Sequence, residues 1–221
     1  MLVSHAKKFI YIKTVKTAGT SVEVALQKYC IPPDLELSTT KVGGDTIETE
    51  HGIVGARGDA VKGSRWFNHM SAQKIRDQLP EDTWNSYCKV CNIRNPWDKT
   101  VSWFHFRNPD MKGKPQDEIF AAFRAFLRPE DDKDLRIGHD THIYFIDDVP
   151  VADEYIRYET LEEDFARVCD RLDLDIRAIP ELKRGPRGKK VIPYQAYYDD
   201  ELRDKIAAIY HREIEHFGWS F

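Results

Sequence analysis

A chain of 221 residues is long enough to enclose one sizeable core, and a single domain over residues 1–221 is the default expectation. Its net charge of −4 removes the general electrostatic case for nucleic acid, and no apolar run approaches the ~20 residues that span a bilayer. Four cysteines in a chain this size point to a reducing compartment and hence a cytoplasmic location, and the apolar stretch Phe9 to Ile12, short and followed by lysines, is no leader core. Cys88 and Cys91 form a CxxC, but no second pair completes a zinc site, and they read as core residues of an apolar strand.

In chain order, Phe9 to Ile12 are aromatic and β-branched, as a buried strand requires. Small residues, Thr17 to Ser21, follow at once, and Val22, Ala25, Leu26 and Tyr29 then recur at helical spacing. A strand running through small and hydroxyl residues into a helix gathers backbone N–H groups and the positive helix end at one point. Lys16 adds a full charge there, and Thr20 and Ser21 add hydroxyl donors. The ordinary phosphate loop, Gly-x-x-x-x-Gly-Lys-Ser/Thr, is absent, because here the lysine precedes the glycine.

Residues 30 to 68 carry turn residues and little periodicity, so loops over the mouth of the sheet are expected, with a short structured piece at Glu50 to Gly55. Ser71 is placed to cap a helix with Ile75 and Leu79 on one face, ended by Pro80. Tyr87 to Ile93 reads as a second strand. It runs into Arg94-Asn95-Pro96, where Asn95 can cap and Pro96 fits the first helical position. That helix should carry Val101 and Phe104 inward and stop before Asn108-Pro109. Arg94, at its start, is the side chain best shaped to hold a phosphate at two points.

Residues 108 to 140 form a polar excursion, an insertion or lid, with a helix over Gln116 to Leu127 and an acidic solvated loop at Glu130 to Asp134. Thr141 to Asp147 and Glu154 to Arg157 both read as strands. Thr160 and Glu163 have capping-box spacing ahead of a helix reaching Leu172. The basic, glycine-bearing run Lys183 to Lys190 is either a solvated turn or a flap over a nucleotide. A last helix spans roughly Asp199 to Phe217. Strands followed by helices, with the polar motifs at the strand ends, predict an α/β fold with a parallel sheet, and a ligand at the carboxyl ends of its strands.

The segment Lys16-Thr-Ala-Gly-Thr-Ser21 resembles the 5′-phosphosulfate loop of sulfotransferases that use 3′-phosphoadenosine-5′-phosphosulfate (PAPS), with Val15 where that family usually has Pro. Residues 94 to 106 resemble the 3′-phosphate motif of the same enzymes, including the Ser102 that follows Arg94 by eight residues and precedes an aromatic pair. The string Arg157-Tyr-Glu-Thr-Leu161 and the tail Tyr197 to Phe221 are also similar to the family, the tail to small microbial members of its carbohydrate branch. Residues 30–60 and 108–140 carry the resemblance least.

The resemblance implies a single domain with a three-layer sulfotransferase fold, a parallel sheet with helices on both faces, related to P-loop nucleotide kinases. It implies that Lys16, Thr17, Ala18, Gly19, Thr20 and Ser21 hold the 5′-phosphosulfate. Arg94 and Ser102 would hold the 3′-phosphate beside it. Lys16 would meet the charge that builds on the leaving oxygen, so that no metal is needed. His69, in a His-x-Ser-Ala context, is the implied general base. His51 is the second candidate, and His105 is placed to pack. The implied products are a sulfated hydroxyl or amine and adenosine 3′,5′-bisphosphate (PAP). The acceptor is a carbohydrate, lipid or small metabolite. A nucleotide kinase using ATP, or a non-catalytic protein binding PAPS or PAP, stays open as an alternative.

Overall fold

A computed structural model describes residues 1–37, 44–128, 140–176, 178–180 and 192–221. The chain divides into two compact units, one of residues 1–93 with 140–183 and the other of residues 94–139 with 184–221.

The first unit is built on a six-stranded sheet in the order β3-β4-β1-β2-β5-β8. Its strands are β1 (Leu2–Ser4), β2 (Phe9–Ile12), β3 (Ile47–Thr49), β4 (Gly52–Val54), β5 (Cys88–Ile93) and β8 (Glu154–Arg157). The sheet is mixed, which corrects the expectation of a wholly parallel one. β2, β5 and β8 run parallel, with Ile12 beside Cys91 and Cys91 beside Tyr155. β1, β3 and β4 are antiparallel to their neighbours. The physical reason is connection length. Residues 5–8 alone join β1 to β2, and Glu50-His51 alone join β3 to β4, whereas a parallel pair needs a crossover of a dozen residues or more. The stretch expected to be loops at 30–68 therefore contains two strands, each too short for periodicity to reveal. The structured piece at Glu50 to Gly55 is the hairpin turn and β4.

One face of this sheet packs on α1 (Gly19–Leu26) and α7 (Leu161–Arg171). Leu2, Phe9, Tyr11, Val90 and Ile156 join Val22, Ala25, Leu26, Phe165 and Val168 in a single core. The alternate residues Val3, Ile10, Ile12 and Cys91 are fully buried too, so these strands are covered on both faces. Ser71 caps α2 (Ala72–Gln78) as expected, accepting from Lys74 N. Pro80 ends that helix and also opens α3 (Glu81–Ser86), which the sequence reading missed.

Thr141 to Asp147 is corrected from a strand to one helical turn, α6 (Thr141–Tyr144), followed by β6 (Phe145–Ile146), which pairs with β7 (Val149–Pro150). Asp147 and Asp148, both at positive φ, form the tight turn between them, where a two-residue hairpin needs left-handed backbone. Thr160 does not complete its capping box; its hydroxyl donates to Asp164 Oδ2 instead.

The second unit holds α4 (Pro96–Arg107), α5 (Gln116–Leu127), α8 (Asp200–Ile209) and α9 (His211–Phe217). Asn95 caps α4, its Oδ1 accepting from the N–H of Trp97 at 3.1 Å, and Pro96 opens the helix. Trp97, Val101 and Phe104 meet Ile119, Phe123 and Leu127 of α5 and Leu202, Ile206 and Tyr210 of the C-terminal segment. The expected last helix is two, broken at Tyr210, whose φ of −105° and ψ of 25° leave the helical region. Within the stretch 108–140, α5 therefore contributes Ile119, Phe123 and Leu127 to the core of this unit. The acidic run 130–134 and the basic run Lys183 to Lys190 lie outside the described residues. Among the described residues no helix is long and apolar enough to cross a membrane.

Candidate functional site

The loop between β2 and α1 is held from beneath by two buried polar side chains of the sheet. Tyr11 donates its hydroxyl to Asn92 Oδ1 at 2.7 Å and lies 3.2 Å from the carbonyl of Gly19. Burial, with Glu23 nearby, pushes the Tyr11 phenol well up, so it stays a donor. Asn92 Nδ2 donates to the carbonyl of Thr17 at 3.1 Å. A trans peptide points its C=O and N–H in opposite directions. Drawing the Thr17 and Gly19 carbonyls inward therefore turns the N–H groups of Ala18 and Thr20 outward.

The backbone signs agree. Lys16 and Ala18 have φ of 61°, in the left-handed region, and Thr17 between them does not. Alternation of this kind makes a concavity of amides suited to an anion. It is followed immediately by the first turn of α1, where the N–H groups of Ser21 and Val22 donate to the Ala18 carbonyl at 2.9 and 3.3 Å and those of Gly19 and Thr20 come too early for an intrahelical acceptor. Thr17 and Gly19 are buried, while Lys16, Ala18, Thr20 and Ser21 are half-buried and reach the surface. Gly19 is tightly enclosed: a Cβ there would stand 3.1 Å from Lys13 Cγ and 3.2 Å from Tyr11 OH, so a side chain would need these neighbours to shift by a few tenths of an ångström. For a non-glycine residue the left-handed conformation costs roughly 1–2 kcal/mol, so the strain at Lys16 and Ala18 must be offset by their surroundings.

His69 lies in the same unit and shares the strain, with φ of 57°. Its Nδ1 is 3.1 Å from the carbonyl oxygen of Lys13, three residues ahead of Lys16. A carbonyl only accepts, so Nδ1 carries the proton and Nε2 keeps its lone pair. Burial first, and then the charges of Lys13 and the Met1 amine, lower the His69 pKa to about 4. The imidazole is thus neutral well below pH 7, in the form that can take up a proton.

Beneath this lies a buried charge cluster that the sequence reading did not single out. Glu23, on the inner face of α1, meets Lys13 Nζ at 2.7 Å, Arg57 Nε at 3.2 Å and the Met1 amine at 3.6 Å. Arg57 also donates to Gln27 Oε1 at 3.0 Å. Burial alone would push the Glu23 carboxyl up, but the Met1 amine, Lys13 and Arg57 together hold it below its ordinary value. Burial lowers the Met1 amine to about 6, with Glu23 opposing. The available signal was a carboxylate within the otherwise apolar run Val22-Glu23-Val24-Ala25-Leu26, where a charge facing the core needs a partner.

The second motif falls in the other unit. Arg94 is buried and pairs with Asp98 one turn on, at 2.8 Å from Nε and 2.6 Å from the terminal nitrogen. Ser102 is half-buried on α4. Asp98, not considered from sequence, is therefore a competitor for any anion at Arg94. His51 sits at the β3–β4 turn, 3.8 Å from Glu50, and His105 packs against Tyr197 with Nε2 2.8 Å from its hydroxyl. All four cysteines are free thiols, and Cys91 is buried in the sheet. Among the described residues no three His, Cys, Asp or Glu side chains are grouped to hold a metal ion.

A cleft of about 810 Å³ lies toward the C-terminal end of α1, lined by Val24, Lys28, Ile31, Leu37, Ile176 and Ile179. The candidate loop is at the opposite end of that helix. Comparison with family models, with curated proteins and with solved structures returned no match.

Proposed function

We propose that the protein is a PAPS-dependent sulfotransferase in which the loop Lys16 to Ser21 binds the 5′-phosphosulfate. The observation that carries this reading is the conformation of that loop. It has left-handed Lys16 and Ala18, carbonyls tied inward by Tyr11 and Asn92, and outward amides leading into α1. The resemblance adds Arg94 and Ser102 as the residues for the 3′-phosphate. The three-layer sulfotransferase fold is part of the same proposal.

The substrate PAPS supplies the sulfuryl group: its S–O bond to the bisphosphate breaks as a new bond forms from sulfur to the acceptor oxygen or nitrogen. Lys16 and the loop amides meet the negative charge left on the bisphosphate. His69 Nε2 takes the proton that the acceptor gives up. A base of pKa about 4 is weak at neutral pH. An anion seated near it raises that value by favouring the imidazolium, so the base strengthens when the donor is bound.

The test is calorimetric titration with PAP, with ADP as control. Micromolar binding of PAP and much weaker ADP binding supports the reading. In Lys16→Ala, turnover with PAPS should fall strongly in a folded protein, and in His69→Ala transfer should stop while PAP still binds. Equal binding of ADP and PAP, or none, removes the proposal in favour of an ATP-using or unrelated activity.

A further inference from the structure

Asp140 stands at the N-terminus of α6 and is 1% exposed. An Asp at that position ordinarily turns its carboxylate onto the amides of its own helix. Asp140 makes no such cap; its Oδ2 accepts instead from the N–H of Val15 at 2.7 Å. Val15 immediately precedes Lys16, whose φ is 61°. The helix α6 also packs against α2, whose lead-in carries His69.

We propose that Asp140 is a positioning residue for the anion loop. Its carboxylate fixes the Thr14–Val15 peptide, one residue before Lys16, and so keeps Lys16 in its left-handed conformation. This rests on the reading of the loop as an anion site. Without the acceptor, the Val15 N–H loses its partner in a half-buried place, and the turn can relax toward an unstrained backbone. The Lys16 amide and side chain then leave the positions in which they converge on the anion. The negative charge is not what serves, since a carboxylate this near opposes an incoming anion; a neutral acceptor of the same shape should do as well or better.

Asp140→Ala and Asp140→Asn in the full chain separate geometry from charge. Two readouts are needed: amide hydrogen exchange over the segment containing Val15, and calorimetric PAP affinity. The Ala variant should lose Val15 protection and bind PAP roughly tenfold or more weakly, while the Asn variant keeps both. Protection in β5 should stay unchanged in each, marking an intact sheet. Wild-type protection of Val15 in Asp140→Ala overturns the positioning role, and so does wild-type PAP affinity. An Asn variant that protects Val15 but binds as poorly as Ala assigns the effect to charge and overturns it too. If the Ala variant does not fold, the Asn variant decides: it must retain protection and affinity. A wild-type protein that fails to bind PAP, while Asp140→Ala still exposes Val15, removes the nucleotide reading and leaves Asp140 as the anchor of the loop.

Discussion

His69 is held neutral chiefly by burial, with the nearby positive charges of Lys13 and the Met1 amine acting in the same direction. Its Nδ1–H is committed to the Lys13 carbonyl, and burial, with Lys13 close by, brings its pKa to about 4. The unfolded chain, with an ordinary histidine value near 6.5, takes up the proton first as pH falls. The native state is therefore favoured fully above about pH 6.5. That advantage drains away between 6.5 and 4 and is constant below, by about 3 kcal/mol in all. Urea unfolding of wild type and His69→Gln across this window checks it. The variant should lose less stability on acidification, and identical pH profiles would mean that His69 titrates normally. The sequence context His-x-Ser-Ala marks the residue as a candidate. Its strained backbone and its tautomer were not legible there, because both depend on a carbonyl 56 positions away. The Glu23 cluster was hidden for the same reason: Lys13, Arg57 and the Met1 amine converge on it only after β1, β2 and α1 pack.

Elements with strong local chemistry were legible, and short ones were not. The Asn95-Pro96 start of α4 and the Ser71 cap of α2 follow from side chains that act within one turn, and α5 follows from the helical spacing of its apolar residues. β1, β3 and β4 have three residues each, below the length at which alternation can be read. Their pairing depends instead on backbone proximity, and Gly52 marks it. A Cβ at Gly52 would stand 2.1 Å from the Val3 carbonyl, and its φ of 154° is one that side chains rarely adopt. Gly52→Ala should accordingly loosen the β1–β4 ladder and destabilise the protein by about 3 kcal/mol, read by chemical denaturation. A loss under about 0.5 kcal/mol, the range of an ordinary surface substitution, would show that this strand edge shifts freely.

At the scale of the whole molecule, anything that binds the native chain and not the unfolded one stabilises it by mass action. PAP at about a hundred times its dissociation constant should contribute about 2.7 kcal/mol, which for a chain of this size raises the melting temperature by roughly 5–10 °C. Lys16→Ala should abolish most of that shift while melting like wild type without ligand. A full shift in the variant would take Lys16 out of the binding loop.

The sequence by itself determined the α/β class, most helices through their caps and apolar faces, and the strand-loop-helix from Phe9 to Leu26 with Lys16 at its turn. These depend on neighbours a few residues apart, so spacing along the chain records them. Only the tertiary structure decided that the sheet is mixed and that Thr141 begins a helix rather than a strand. It also decided that Asn92, Tyr11 and Asp140 brace the loop, and that Arg94 is already paired with Asp98. The bracing contacts and the strand pairings join residues far apart in sequence, and the Arg94–Asp98 pair depends on how two side chains orient on one helical turn. Burial then fixes which charge meets which acceptor, and that selection leaves no periodic trace in the chain.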